Sequence, residues 1–311
     1  MGVEESDDIF RAMLPISFPV IMTLSFLCVF LLNPILIPFV FLLQYLRVLT
    51  ITPYIYLINT LLPKFFPKEC ATIFANLRKS FPVTVDGTLP KKGIYLFHPH
   101  GYMAASIVLH TATRFTDWPI RMIKCAVIPG LKYYMGMTEV LEDRFVDSKY
   151  DDMKKLLTHT HSSLAVSPGG LDEMVQIRKK ELRIKLLSRK GVFRLAIETG
   201  TPLVPVLLFG ETELCNPLEG SLMEYAHSWV RMLRIPLVLP SYELCMKWLS
   251  LQKKPFDTKC VSVIGEAVAV GEARSPTEEE IYSLRATYIE ALKKLYAKTK
   301  PADYAAEMII D

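Results

Sequence analysis

The chain has 311 residues, 51% of them apolar, with 36 basic and 32 acidic side chains and a formal charge of +4. A balance this even gives no bulk-charge signal for a nucleic-acid partner, and the apolar content excludes extended disorder. The six cysteines (Cys28, Cys70, Cys125, Cys215, Cys245, Cys260) form no CxxC and no zinc-spaced pair, which argues against a disulfide scaffold or zinc ribbon and for reduced thiols.

Much of the hydropathy lies at the front. Residues 1–11 read as an acidic tail carrying Glu4, Glu5, Asp7 and Asp8. From Ala12 to Leu46 there is no charge, and Arg47 is the only one before Lys64. A span needs about 20 apolar residues. The run exceeds one span and falls short of two, and Asn33-Pro34 near its middle signals a turn. Residues 12–63 are therefore expected to form a membrane-embedded hairpin with an interfacial helix. A single tilted span followed by that helix is the alternative. The acidic front and the length of the run do not fit a cleavable signal peptide. Lys64, Lys68, Arg78 and Lys79 then place residues 64–311 on the cytosolic side.

Beyond Lys79, short apolar runs alternate with amphipathic stretches, the pattern of an α/β domain. Strands are expected at Gly93–Phe97, Ser163–Val166, Leu203–Leu208 and Val261–Ile264, and helices over Tyr102–His110 and Gly191–Glu198. A closing helix is signalled by Ser275 as N-cap, Pro276 at the first position and Glu278 as capping-box partner. Its buried face carries Ile281, Leu284, Tyr288, Leu292 and Leu295.

His98-Pro99-His100-Gly101 stands at the end of a buried strand. A strand end fixes side chains, and a following helix start disfavours imidazolium, so a histidine there serves as a neutral base toward an alcohol. Pro99 stiffens the turn and Gly101 admits close backbone approach. Helix capping and metal ligation are rival readings, the latter because His159 and His161 form a second His-x-His pair. Neither GxSxG nor GxxxxGK[ST] occurs, so a base here would act on a substrate hydroxyl.

Ser167-Pro168-Gly169-Gly170 follows the next strand, and the two glycines suit either an anion nest or a tight turn. Next come Arg178, Lys179, Lys180, Arg183, Lys185, Arg189, Lys190 and Arg194, with Glu181 the one acid among them. Such a run is a solvated face or a site for lipid head groups or a phosphorylated co-substrate. A cytosolic domain on a membrane, a base for a hydroxyl and a phosphate-binding strip together suggest acyl transfer from a coenzyme A thioester to a lipid alcohol.

At these residues the sequence resembles the diacylglycerol O-acyltransferase type 2 family, which includes monoacylglycerol and wax-alcohol acyltransferases. His98 to Gly101 match its HPHG motif. Arg189 to Ala196, Gly200, Val204-Pro205 and Phe209-Gly210-Glu211 match its RKGF…A…G…VP…FGE block. Pro276–Ile281 and Tyr288–Leu295 resemble its closing helix. The family's YFP stands here as Ser80-Phe81-Pro82, its GEP as Gly265-Glu266-Ala267, and its glycine-rich HGRG segment is missing from Leu218 to Lys254.

The resemblance implies a glycerolipid-acyltransferase-like mixed sheet with flanking helices. It also implies an enzyme of the endoplasmic reticulum membrane or lipid droplet that uses acyl-CoA as co-substrate, with no metal or other cofactor. The expected reaction is diacylglycerol to triacylglycerol. A monoacylglycerol or fatty-alcohol acceptor, and an inactive lipid-surface binding protein on the same fold, are alternatives; a metal-dependent hydrolase is a third class. The bilayer and a second copy of the chain are further candidate partners. The related lysophosphatidate enzymes carry HxxxxD, but Met103 and Ala105 stand where that acid would be. Glu173 after the glycine pair, or Glu211, is the expected carboxylate partner. His100 is assigned proton abstraction, His98 orientation of substrate or thioester carbonyl, and Glu173 the His100 tautomer. N–H groups after Gly101 are assigned the oxyanion. Gly169, Gly170, Arg189, Lys190 and Glu211 are expected to bind substrate.

Overall fold

The structure is a computed structural model that describes residues 83–101, 104–112, 122–128, 144–177, 181–213 and 260–311. The expected membrane hairpin and acidic tail lie outside the described residues, as does the stretch from Leu218 to Lys254. Among the described residues no helix is long and apolar enough to cross a membrane.

Seven strands form one sheet: β1 (Val83–Val85), β2 (Ile94–His98), β3 (Ile123–Val127), β4 (Phe145–Asp147), β5 (Ser163–Val166), β7 (Leu203–Phe209) and β8 (Val261–Ile264). Their spatial order is β1-β8-β7-β2-β5-β3-β4. Every neighbouring pair is parallel except β7 and β8. A mixed, mainly parallel sheet is what the alternation of short apolar runs with helices predicts. The central strands β2 and β7 are buried at every residue, as expected where helices cover both faces.

One face packs on α2 (Tyr150–His159), α4 (Gly191–Thr199) and α5 (Glu278–Thr299). Its core contains Ile94 and Leu96 of β2, Phe193 and Leu195 of α4, and Ile281, Tyr288 and Leu292 of α5. The other face carries Tyr95, Phe97, Val204 and Val206, with Ile107 of α1 (Ala105–Ala112) against them. The period of two along β2 therefore turns His98 to the α5 side. A short helix, α3 (Gly170–Met174), follows β5, and a separate two-stranded parallel sheet pairs β6 (Glu181–Ile184) with β9 (Glu307–Ile310).

Two expected boundaries move. Helix α1 starts at Ala105 and not Tyr102, because Ala104 has φ of 50°, outside the right-handed region that a helix requires. The capping box of α5 is Thr277 with Glu280, where Ser275 with Glu278 was expected. Thr277 is extended, Glu280 N–H donates to its Oγ1 at 3.2 Å, and its own N–H donates to Glu280 Oε2 at 2.9 Å. Glu278 is left to face outward.

Candidate active site

Strands β7, β2 and β5 are adjacent and parallel, so the loops after Phe209, His98 and Val166 leave the same edge of the sheet. The carboxyl ends of such strands are where open α/β sheets hold ligands. The loops carry Gly210-Glu211, Pro99-His100-Gly101 and Gly169-Gly170 with Glu173. His98 stands level with Leu207 in the register, and Leu96 with Val166.

His100 is half-buried. Its backbone N–H donates to Glu173 Oε2 at 2.6 Å, and its ring Nδ1 lies 2.8 Å from the Gly101 carbonyl. A carbonyl only accepts, so Nδ1 carries the proton and Nε2 keeps its lone pair. Burial lowers the ring's pKa, opposed by that bond, so the imidazole is neutral near pH 7. The tautomer expected from Glu173 is thus held by Gly101. Glu173 acts on the main chain instead, taking a second N–H from Lys185 on Oε1 at 2.8 Å.

Glu173 is 2% exposed. Burial pushes its carboxyl up to about 7, against the two N–H donors and the Arg189 guanidinium, which favour the charged form. Gly169 makes the space: a Cβ there would lie 1.8 Å from Glu173 Cδ. Gly170 has φ of +53° with nothing near its missing Cβ.

Glu211 supports the other side of the turn. It is 1% exposed, and its Oε2 accepts from Ser106 N–H at 3.1 Å and from the Ser106 hydroxyl. A carboxylate on the first turn of α1 suits the positive end of the helix dipole. Gly101 lies over it with φ of +67°, and a Cβ would come within 2.5 Å of Glu211 Cγ. Of the N–H groups after Gly101 expected to meet an oxyanion, that of Ser106 is occupied by Glu211.

His98 is fully buried, with Nε2 3.0 Å from the Tyr288 hydroxyl. Burial drives its pKa down to about 3, so the ring is neutral. Tyr288 counted in the sequence only as a packing residue of α5. The available signal was a phenol in an apolar seam, which needs a hydrogen-bond partner. Ser106 and the Lys185 N–H gave no signal beyond their neighbours.

Arg189 donates to the Gly169 carbonyl at 2.8 Å and to Asp172 at 2.6 Å, bracing the glycine turn. Lys190 is exposed, paired with Glu278 at 2.7 Å and placed over the Tyr282 ring; Arg194 shares Glu278 at 3.0 Å. His159 ends α2 and His161 lies in the bend just before β5 begins. They lie at the opposite edge of the sheet from His98 and His100. The two His-x-His pairs are thus separated by the length of a five-residue strand, ~16 Å, and share no metal site.

Among the described residues, the geometry offers a buried turn with one imidazole lone pair free, Glu173 holding its backbone and Glu211 holding the start of α1, an arrangement suited to taking a proton from a hydroxyl. Residues 41–307 match the family model described as diacylglycerol acyltransferase. Diacylglycerol O-acyltransferase 2B of Umbelopsis ramanniana is 28% identical over 263 residues, spanning 76% of this chain and 72% of its own. Acyl-CoA wax alcohol acyltransferase 2 of Mus musculus is 27% identical, spanning 70% and 68%. The mouse 2-acylglycerol O-acyltransferase 1 is 24% identical, spanning 67% and 65%. From the match over most of its length and the site that its loops build, the chain is an acyltransferase belonging to the diacylglycerol acyltransferase family.

Proposed function

We propose that the enzyme transfers the acyl group of an acyl-CoA thioester to the free hydroxyl of diacylglycerol, giving triacylglycerol and coenzyme A. The observation that carries the mechanism is the His100 ring, with Nδ1–H spent on Gly101 and Nε2 open. Nε2 takes the proton of the acceptor hydroxyl as its oxygen attacks the thioester carbonyl. The tetrahedral intermediate collapses with cleavage of the C–S bond, and the imidazolium returns its proton to the coenzyme A thiolate. Glu173, buried behind the turn, stabilises that imidazolium and holds its backbone. Acyl exchange between sulfur and oxygen balances without a redox partner or a metal.

Support for the acceptor comes from the names of the relatives, which cover diacylglycerol, 2-acylglycerol and wax alcohol. An inactive lipid-surface protein is disfavoured because His100, Glu173 and Glu211 are all present and mutually positioned. The test is a microsomal assay of labelled acyl-CoA against diacylglycerol, monoacylglycerol, fatty alcohol and lysophosphatidate. Fastest esterification of diacylglycerol is expected, and a preference for another alcohol reassigns the acceptor. His100→Ala should lower kcat at least about 100-fold with the protein still folded. Turnover at the wild-type rate refutes the mechanism.

The uncharged stretch from Ala12 to Leu46 supports attachment to the endoplasmic reticulum membrane, with the catalytic domain in the cytosol. Glycosylation acceptors placed at residues 2 and 70 should both remain unmodified in microsomes. Modification at residue 2 alone establishes a single span.

A further inference from the structure

His98 and His100 belong to one turn, yet the fold treats them in opposite ways. Among the described residues His100 ends with an open Nε2. His98 is fully buried, and its Nε2 lies 3.0 Å from the Tyr288 hydroxyl. That phenol is itself fully buried, held edge-on by Phe193 with ring centroids 5.8 Å apart. His98 is the one hydrogen-bond partner of the Tyr288 hydroxyl among the described residues. If the His98 nitrogen carried the proton, the phenol's hydrogen would have no acceptor at hand. The bond therefore runs from the Tyr288 O–H to His98 Nε2, and the remaining proton of the neutral ring sits on Nδ1, which has no partner among the described residues.

We propose that Tyr288 is a positioning residue for catalysis: its hydroxyl occupies the basic nitrogen of His98, fixes that ring beneath the turn, and leaves His100 as the one histidine able to take the acceptor's proton. Tyr288 meets no reacting atom; it acts through His98. Helix α5, sequence-distant from the turn, thereby sets both the tautomer of His98 and the stiffness of the platform that carries His100. The inference rests on the assignment of His100 as base.

Tyr288→Phe is the informative change, since it keeps the ring against Phe193 and His98 and removes one oxygen. With the hydroxyl gone, both nitrogens of a fully buried imidazole lack a partner, and the ring turns to find one. The expected result is a fall in kcat of about tenfold, with KM for acyl-CoA and for the acceptor unchanged. Tyr296→Phe is the control. It removes a hydroxyl bonded to the Ala306 carbonyl at 2.6 Å, about two turns further along the same helix, and should leave kcat within about twofold. Tyr288→Leu should lose at least as much kcat as Tyr288→Phe, together with thermal stability. Wild-type kcat in Tyr288→Phe, with loss only in Tyr288→Leu, reduces Tyr288 to a packing residue and overturns the proposal. So does a Tyr288→Phe defect confined to KM or to stability. Activity in His100→Ala refutes the base assignment itself, a result separate from either.

Discussion

Gly169 is the position where a single methyl group does the most harm. Its ideal Cβ would meet Glu173 Cδ at 1.8 Å and Oε1 at 1.9 Å. Ordinary contact needs about 3.5 Å, so the carboxyl must retreat by roughly 1.7 Å. It has no slack for that, because it holds the His100 N–H at 2.6 Å and the Lys185 N–H at 2.8 Å. Retreat takes both beyond hydrogen-bonding range. Glu173 is partly ionised near pH 7, and each hydrogen bond contributes about 1 kcal/mol to a neutral acceptor and more to a charged one, so Gly169→Ala should cost at least about 2 kcal/mol. Because one of the lost bonds holds the backbone of the base, turnover should fall about 100-fold or more. Gly170→Ala is the comparison. Space is open there, and only the left-handed φ of +53° resists, a cost of about 1–2 kcal/mol. Labelled acyl transfer in microsomes and the midpoint of thermal inactivation measure both variants. A Gly169→Ala enzyme no worse than Gly170→Ala refutes the argument that Glu173 is clamped.

Glu173 makes stability depend on pH in a stated direction. Its folded pKa of about 7 lies above the ordinary carboxyl value of 4.5, so its contribution is complete below pH 4.5 and lost as pH rises through 7. The stability advantage of the wild type over Glu173→Gln should shrink by up to about 3 kcal/mol across that window, read from urea midpoints at pH 4.5 and 7.5; an advantage that grows with pH contradicts the assignment. Lys190→Glu should raise KM for acyl-CoA, less so in high salt, and leave kcat near normal, since Lys190 is exposed and salt screens its charge. Arg189→Glu should lower kcat as well, because Arg189 braces the Gly169 turn; equal kinetic profiles for the two variants would show that the brace does not matter.

The parts of the fold that could be read from sequence were those buried on both faces. Gly93–Phe97, Ser163–Val166, Leu203–Leu208 and Val261–Ile264 are mostly apolar runs and became strands within a residue or two. The strands missed are short or half-exposed. Val83–Val85 has its last two residues in solvent, and Glu181–Ile184 alternates charge with leucine and isoleucine inside a basic run. That run then divides among a strand, a turn and a helix; Arg183 pairs with neighbouring Glu181 and with distant Asp311, and Lys190 and Arg194 share the distant Glu278. For the candidate site, the sequence could nominate residues that the fold brings to one edge of the sheet, but not how they bond. Glu173 and Glu211 both reach backbone N–H groups, and a backbone donor leaves no trace in the sequence. Tyr288 fitted the apolar period of α5 so well that its hydroxyl was hidden by its ring.

The bond between His98 and Tyr288 joins residues 190 positions apart. At a synthesis rate of about 5–20 residues per second, roughly 10–40 s pass between the two leaving the ribosome's decoding centre. Throughout that interval the turn bearing the base exists without the phenol that seats it. On the role proposed for Tyr288, full turnover therefore arrives only once the closing helix has been made.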